Sequence, residues 1–256
     1  MADLTAGAPP TLDASQAREL AWLDQAQMVE VDRVMMDDLG ISLIQMMEHA
    51  GRHLAALARD RFLDGDVTGA RVAVLAGTGG NGGGGITAAR HLHTWGADVT
   101  LASTRELDQI QGVPGDQART AARLGVRSVV GAPPRAGSGT RFDLVIDAVI
   151  GYSLRGLPEG MVADLIAWAG AAPAPVLSLD LPSGVDASSG RAHGLSIVPE
   201  ATLTLAMPKE GLRLAGPDRV GALYLADIGV PTSAYHPLVG RPIRSPFNRS
   251  DIVRIW

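Results

Sequence analysis

The sequence contains no cysteine, so disulfides, thiolate catalysis and cysteine-based metal sites are excluded. This absence fits a reducing compartment, and we expect a cytoplasmic protein. Aromatic residues make up only 4% of the chain, so the core must be mostly aliphatic and rich in alanine. No apolar run approaches the roughly 20 residues that span a bilayer, and the first residues lack the pattern of a signal peptide. We therefore expect no membrane association.

An excess of positive charge is also missing. The net charge of −5 argues against a broad basic surface for nucleic acid or acidic membranes. The 256 residues are enough for one large α/β domain with a substantial core. We predict a loose N-terminal arm over residues 1–17 and a single domain over residues 18–256. Its tail from about residue 233 should lie on the surface, with Ile252, Ile255 and Trp256 able to dock back.

Short apolar segments alternate with helical patterns along the chain. The predicted strands cover residues 72–76, 98–102, 128–130, 143–147, 176–180, 201–206 and 222–226. The predicted helices cover residues 28–39, 43–57, 86–95, 117–124 and 161–168. We interpret the methionines of the first two helices as core residues. This alternation predicts a Rossmann-like, three-layer αβα fold with a mainly parallel central sheet.

A glycine-rich run, Gly77-Thr-Gly-Gly-Asn-Gly-Gly-Gly-Gly85, follows the first predicted strand. Its seven glycines allow unusual backbone angles and let a ligand such as a phosphate approach the backbone N–H groups at a helix N-terminus. Asn81 is its one side chain with strong polar capacity. The G-x-G-x-x-G pattern alone is a weak signal. The run lacks the Lys-Ser/Thr ending of a P-loop, and residues 102–105 lack the acid that a nicotinamide dehydrogenase would place there.

Two acids, Asp147 and Asp180, each end a predicted strand. Ligands bind beyond the carboxyl ends of the strands in an open parallel sheet. We therefore expect both acids to converge with the glycine-rich run and residues 207–212. A carboxylate there can hold a ribose hydroxyl, coordinate a cation or act as an acid or base. Lys209 has two open interpretations, a phosphate contact and a solvated surface charge.

Taken together, these motifs resemble the YjeF N-terminal domain family. The matches occur in the order of the family and run from about residue 26 to residue 231. The most specific are Asp143-Leu-Val-Ile-Asp147 with Gly151-Tyr-Ser-Leu-Arg-Gly156, and Ser178-Leu-Asp-Leu-Pro-Ser-Gly-Val-Asp186. The others are the glycine-rich run, Gln27-Met28, Met47-Glu-His-Ala-Gly51, Met207-Pro-Lys209, Gly211-Leu212 and Ala226-Asp-Ile-Gly-Val-Pro231.

The resemblance implies an NAD(P)H-hydrate epimerase, which interconverts the R and S forms of nicotinamide nucleotides hydrated at C6. It implies a homodimer and, as a functional partner, a separate NAD(P)H-hydrate dehydratase. It also implies a potassium ion at Asn81, Asp147 and Ser183. The implied contacts to hydrated NADH or NADPH are Gly80, Asn81, Gly82, Gly83, Gly84, Gly151, Tyr152, Ser153, Leu154, Arg155, Gly156, Leu157 and Asp180.

The glycine-rich run departs from the family pattern, which reads approximately Asn-Asn-Gly-Gly-Asp-Gly. Gly80 stands at the first asparagine and Gly84 at the aspartate. Asp147 and Asp180 are then the catalytic candidates, and we favour Asp180 for ligand contact or proton transfer and Asp147 for the cation. The lost carboxylate keeps an alternative open, a catalytically impaired nucleotide-binding or scaffold module of the same fold.

Overall fold

A computed structural model describes residues 9–134, 141–153, 156–192 and 194–256. Its strands form one eight-stranded sheet with the order β3-β2-β1-β4-β5-β6-β7-β8. The strands are β1 (Arg71–Ala76), β2 (Asp98–Ser103), β3 (Arg127–Val130), β4 (Leu144–Ala148), β5 (Val176–Leu179), β6 (Ala201–Leu205), β7 (Ala222–Ala226) and β8 (Ile252–Arg254). Strands β1 to β7 are mutually parallel, and β8 pairs antiparallel with β7.

Helices connect most of these strands. They are α1 (Ala14–Glu19), α2 (Gln25–Arg33), α3 (Leu43–Phe62), α4 (Gly80–Thr94), α5 (Gly112–Arg123), α6 (Gly160–Gly170), α7 (Glu210–Ala215), α8 (Pro217–Val220) and α9 (His236–Val239). A π-helical turn (Val34–Asp38) extends α2, and 3₁₀ turns cover Leu107–Gln109 and Thr232–Ala234. None of the helices in the described ranges is both long enough and apolar enough to cross a membrane.

Helices cover both faces of the sheet, as the apolar strand pattern predicts. In β1, Val72 and Val74 pack in a core that includes side chains of α3, α4 and α5. Ala73 and Leu75 point to the opposite face, where they pack in a core with Leu165 and other residues of α6. The three-layer αβα architecture with a mainly parallel sheet is thereby confirmed.

The sheet reverses its direction of growth between β1 and β4. The chain runs from β1 outward through β2 to β3, and then returns to place β4 on the other side of β1. Connections that leave β1 and β4 therefore diverge and open a crevice at the carboxyl ends of these strands, where ligands bind in folds of this kind. In the strand register, Asp147 lies opposite Leu75 of β1 and Ser178 of β5.

The N-terminal segment differs from its prediction. Residues 1–8 lie outside the described residues, but the remainder of the predicted arm is paired with β8. The Leu12 N–H donates to the Arg254 carbonyl (2.9 Å), and the Arg254 N–H donates to the Pro10 carbonyl (2.8 Å). Asp13 then caps α1. The prediction of a loose arm is wrong for residues 10–17, because the free edge of β8 offers backbone groups that this segment satisfies.

The C-terminal tail docks back through the residues expected to do so. Ile252 and its neighbours form β8 against β7. The Trp256 ring stacks on Trp22, with 6.0 Å between the ring centroids. Trp256 Nε1 donates to the Gly221 carbonyl at 2.8 Å. The tail therefore completes the sheet and is more than a surface extension.

Candidate active site

A cavity of about 290 Å³ lies at the carboxyl ends of β1, β4, β5 and β6. Each of the four segments that we expected to converge contributes to its wall. The contributing residues are Gly80, Asn81 and Gly84 after β1, Gly151, Tyr152 and Ser153 after β4, Asp180 after β5, Leu205 at the end of β6, and Ala206 and Lys209 after it. The predicted convergence at one edge of the sheet is confirmed.

A buried ion pair joins two of these segments. Lys209 Nζ donates to a carboxylate oxygen of Asp180, and the two side chains are only 1% and 5% exposed. Lys209 Nζ also donates to the Leu205 carbonyl at 2.9 Å. Lys209 is the only lysine in the chain, and every other basic residue among the 22 is an arginine. Burial excludes the interpretation of Lys209 as a solvated surface charge.

The backbone is strained at two residues of the cavity wall. Asp180 has φ of 67° and Ala206 has φ of 64°, in the left-handed region that favours glycine. Both follow strands directly, and the Asp180 N–H is held by the Leu203 carbonyl at 2.7 Å. Such conformations cost on the order of 1–3 kcal/mol and concentrate at functional sites. The strain turns the chain at the ends of β5 and β6, so that Asp180 faces the cavity.

A second carboxylate, Asp32 on α2, lines the same cavity. It accepts a hydrogen bond from the Tyr152 hydroxyl. Burial raises the pKa of Asp32, an effect that the Tyr152 hydrogen bond opposes. Burial and the neighbouring Asp32 also raise the pKa of Tyr152, so the phenol remains a donor. The cavity therefore holds two acids with different partners, a cation for Asp180 and a phenol for Asp32.

Asp32 is absent from the residues that sequence reasoning selected. One signal was present, because Asp32 follows Met28 by four residues and so shares the inward face of its helix. The methionines also prove to be more than core residues. Met28, Met46 and Met47 are buried as expected, and together with Met36 they form an apolar wall of the cavity.

Asp147 occupies a different position from Asp180. It is 0% exposed and is not part of the cavity wall. It accepts hydrogen bonds from Ser183 Oγ (2.6 Å), the Ser183 N–H (2.9 Å), Ser178 Oγ (2.7 Å) and the Val149 N–H (3.3 Å). These donors are all neutral, and burial raises the pKa of Asp147. As a catalytic candidate, Asp147 therefore lies outside the cavity wall, and its favoured role, at a cation, stays a prediction.

Ser183 links Asp147 to the turn that carries the cavity residues. Its Oγ accepts a hydrogen bond from the Ile150 N–H at 2.9 Å. Asn81 packs on the same turn, because a Cβ atom added to Gly151 would lie 3.1 Å from Asn81 Cγ. Both polar atoms of the Asn81 amide are buried, and neither has a hydrogen-bond partner among the described residues. A polar group that is left in this state calls for a ligand, an ion or a water.

The glycine-rich run enters α4: its first three residues form the turn before the helix, and the rest form its first turns. None of its seven glycines has a positive φ, so the backbone freedom that glycine allows is not used here. Close packing explains why these positions are glycine. A Cβ atom would lie 1.9 Å from the Gly77 carbonyl oxygen at Gly82, 2.5 Å from Met47 Sδ at Gly83, and 2.4 Å from Ala148 Cβ at Gly85. The glycines let α4 approach the sheet and α3.

The predicted substrate contacts divide into three groups. Gly80, Asn81, Gly84, Gly151, Tyr152, Ser153 and Asp180 line the cavity. Gly82, Gly83, Gly156 and Leu157 do not line it. Gly82 and Gly83 are buried in packing, whereas Leu157 is exposed. Leu154 and Arg155 lie outside the described residues.

These features define a doubly wound α/β protein with a cavity, bordered by two acids and an apolar wall, at the switch point of its sheet. Comparison with known proteins places it more narrowly. Residues 43–211 match the family model described as YjeF-related protein N-terminus. The chain belongs to this family, as its motifs led us to expect.

Several curated relatives carry names that state an activity. A protein of Dehalogenimonas lykanthroporepellens named NAD(P)H-hydrate epimerase is 44% identical over 89% of this chain and 90% of its own length. A protein of the same name from Truepera radiovictrix is 34% identical over 94% of this chain and all of its own length. A bifunctional NAD(P)H-hydrate repair enzyme of Hyperthermus butylicus is 35% identical over 77% of this chain, which corresponds to 36% of that enzyme.

A solved structure supports the fold independently. The crystal structure of yeast ynu0 aligns with a TM-score of 0.73 over 92% of this chain and 100% of the yeast chain. The two sequences are 22% identical. At this identity, the similarity establishes the shared architecture alone.

Proposed function

We propose that this protein interconverts the R and S forms of NADH and NADPH hydrated at C6, and so acts as an isomerase in nicotinamide nucleotide repair. The Asp180–Lys209 pair carries the proposal, because it places an ionised carboxylate in the wall of a cavity at the switch point of the sheet. The names of the relatives that match nearly the whole chain point to the same reaction.

The reaction requires an acid and a base. The C6 hydroxyl must be protonated to leave as water, which gives an iminium-like ring. A second water must then add to the opposite face of C6 and lose a proton to a base. Asp180 suits the base and also stabilises the cationic ring through its charge. Lys209 pairs with Asp180 and orients it, and the apolar methionine wall limits access of bulk water to the ring.

The same cavity has features that suit a nucleotide. Gly80 and Asn81 begin α4, where unpaired backbone N–H groups and the helix dipole favour a phosphate. A volume of about 290 Å³ lies at the lower end of the range for ligand pockets. We infer that the hydrated ring and its ribose enter the cavity and that the remainder of the dinucleotide lies along its mouth.

We further propose a potassium ion held by Asn81, Asp147 and Ser183. The observation in its favour is the Asn81 amide, whose buried atoms have no partner among the described residues. Asp147 is a fully buried carboxylate with neutral hydrogen-bond partners, so a cation would supply the missing positive charge. The oxygen donors suit a hard cation. When bound, the ion would neutralise Asp147 and fix the turn at Ile150 and Gly151.

The cellular setting is part of the proposal. We place the protein in the cytoplasm, in keeping with its lack of cysteine. A dehydratase would act as its functional partner, and relatives such as that of Hyperthermus butylicus are named as bifunctional repair enzymes. A homodimer is the expected assembly, and exposed apolar side chains such as Leu157, Met161 and Val198 provide surface for it.

One observation favours a second candidate function. Gly84 stands where the family loop is expected to carry an aspartate, so the chain could bind a nucleotide without turning it over. A non-catalytic module of this kind would still use the backbone N–H groups at the start of α4. Thermal-shift measurements with NAD(P), ADP-ribose and potassium would then show binding in the absence of turnover.

Turnover of a pure epimer tests the proposed function. The protein is mixed with the R form of NADPH hydrate, and formation of the S form is followed by chromatography. We expect equilibration well above the spontaneous rate. A rate equal to the spontaneous one would overturn the proposal, and binding of nucleotides under the same conditions would then favour the non-catalytic module.

A further inference from the structure

The structure contains an acid that the strand-end motifs do not account for. Asp32 lies on α2, outside the sheet edge that supplies the other polar groups of the cavity. We propose that Asp32, held by Tyr152, is the proton donor to the departing C6 hydroxyl, and that it fills the role left open by Gly84. The inference rests on the proposed function and deepens it.

Position is the first argument for Asp32. Asp32 and Asp180 line one cavity from two different elements, the helix α2 and the end of β5. Their charges lie close enough to interact. A ligand in the cavity can therefore meet one carboxyl group from the helix layer and the other from the sheet. This is the arrangement that an addition and an elimination at one carbon require.

The different partners of the two acids are the second argument. Asp180 is paired with the Lys209 ammonium in a buried contact. Asp32 has no cation as a hydrogen-bond partner among the described residues, and it accepts from the neutral Tyr152 hydroxyl. Burial raises the pKa of Asp32 and outweighs the Tyr152 hydrogen bond and the Lys209 charge, which lower it, while the charge of Asp180 adds a smaller raising effect. Environments that separate two acids in this way assign one as acid and the other as base.

The proposed step is balanced in atoms and electrons. The Asp32 carboxyl proton passes to the C6 hydroxyl oxygen, the C–O bond breaks, and water leaves with that electron pair. The ring nitrogen lone pair forms the C=N bond of the iminium. A water oxygen then bonds to the opposite face of C6, the C=N pair returns to nitrogen, and the water proton passes to Asp180. Exchange with solvent restores a proton to Asp32 and removes one from Asp180.

The pH dependence of the reaction gives a signature of this role. Four ionisable groups interact with Asp32: Tyr152, Lys209, Asp180 and the buried Tyr235. The Tyr152 hydroxyl stabilises the carboxylate form of Asp32 and so lowers its pKa relative to burial alone. Removal of this hydroxyl in Tyr152→Phe should raise the pKa of Asp32. The protonated form of Asp32 then persists to higher pH, and the alkaline limb of the kcat/KM profile should shift to higher pH.

The test compares four full-length proteins on R-form NADPH hydrate. These are the wild type, Asp32→Asn, Tyr152→Phe and Asp37→Asn, a control at an exposed acid of the adjoining π-helical turn. We expect Asp32→Asn to lower kcat by about 10²-fold or more, with a small change in KM. Asp37→Asn should match the wild type, and Tyr152→Phe should show the upward shift of the alkaline limb.

The outcomes distinguish a failure of the role proposed for Asp32 from a failure of the proposed function. An active wild type with an Asp32→Asn variant that keeps at least half of kcat would overturn the role of Asp32 and leave the proposed function intact. An unchanged alkaline limb in Tyr152→Phe would also overturn it. If Asp32→Asn fails to fold by circular dichroism, the Tyr152→Phe profile decides alone. A wild type and control that are both inactive would overturn the proposed function together with the inference.

Discussion

Lys209 donates a hydrogen bond to Asp180, and both side chains are almost fully shielded from water. The two residues follow different strands, β6 and β5, so their pairing fixes the relative positions of two strand ends. Asp180 also adopts a left-handed backbone conformation at that point. The ion pair therefore joins two segments of the cavity wall and orients the Asp180 carboxylate toward the cavity.

Substitution of Lys209 by methionine should be strongly destabilising. Lys209→Met keeps most of the side-chain volume but leaves the buried Asp180 carboxylate without its cation, a loss that costs about 3–5 kcal/mol. Urea denaturation measures the free energy of unfolding. Arg213→Met removes a mostly exposed cation from the neighbouring helix and should change it by less than about 1 kcal/mol.

A double variant separates the ion pair from packing. Asp180→Asn combined with Lys209→Met leaves no unpaired charge, so it should recover part of the stability that Lys209→Met loses. If the double variant is less stable than Lys209→Met by the full effect of Asp180→Asn alone, the two residues are not coupled and the interpretation of the pair is wrong.

The sheet was predictable because buried parallel strands carry a strong local signal. Val72-Ala-Val-Leu-Ala76 is apolar throughout, and so is most of β4. The segments after the strands were also predictable, since the carboxyl ends of parallel strands meet at one edge. Asp180 and Asn81 are therefore found at the cavity that the sequence led us to expect.

Features that depend on packing between distant segments were not predictable in the same way. Lys209 pairs with an acid 29 residues earlier in the chain, and no local pattern reports such a contact. Asp32 reaches the cavity only because α2 packs across the ends of the strands. The packing role of the glycine-rich run is not visible in the sequence either, because the steric need for glycine at Gly82 arises from the Gly77 carbonyl in the folded state.

The glycines of α4 should differ sharply in their tolerance of alanine. A Cβ atom at Gly82 would lie 1.9 Å from a backbone oxygen, whereas one at Gly80 would meet nothing within 4 Å. We expect Gly82→Ala to lower the free energy of unfolding by about 1–3 kcal/mol or more. Gly80→Ala should be neutral or stabilising by up to about 1 kcal/mol. Equal effects of the two substitutions in thermal denaturation would contradict the packing argument.

Potassium should stabilise the wild type through Asn81. A ligand that binds only the folded state adds about 2.7 kcal/mol at 100 times its dissociation constant. The midpoint of thermal unfolding should therefore rise in potassium chloride relative to lithium chloride at equal ionic strength. Asn81→Ala should unfold near the wild-type temperature in lithium, because the Asn81 amide has no described protein partner to lose. The unfolding midpoint of Asn81→Ala should rise little in potassium. An equal rise in the wild type and in Asn81→Ala would argue against a potassium site at Asn81.

Stability should depend on pH through Asp32. Burial raises the pKa of this carboxyl above its ordinary value of 3.8. Below that value the folded and unfolded states are both protonated. As the pH rises, the unfolded state ionises first, so the contribution of Asp32 to stability falls until the folded state also ionises. The stability of the wild type relative to Asp32→Asn should therefore be greater near about pH 4 than near about pH 8. A trend of opposite sign would mean that Asp32 is stabilised as a carboxylate.

A carboxylate at position 84 should not improve the enzyme if Asp32 already supplies the acid. A Cβ atom at Gly84 would lie 2.8 Å from Leu179 Cδ2, so Gly84→Asp must displace the end of that side chain. It would also add a third carboxyl group to a cavity that holds Asp32 and Asp180. We expect the rate on R-form NADPH hydrate to fall in Gly84→Asp.

Gly84→Ala introduces the same steric contact without the charge, so the difference between the two variants isolates the effect of the carboxylate. A rate in Gly84→Asp more than about tenfold above the wild type, a gain of roughly 1.4 kcal/mol in transition-state stabilisation, would show that the native site is impaired and would favour the non-catalytic module. In that case Asp32 would be insufficient on its own, because its proton would already have been available to the wild type.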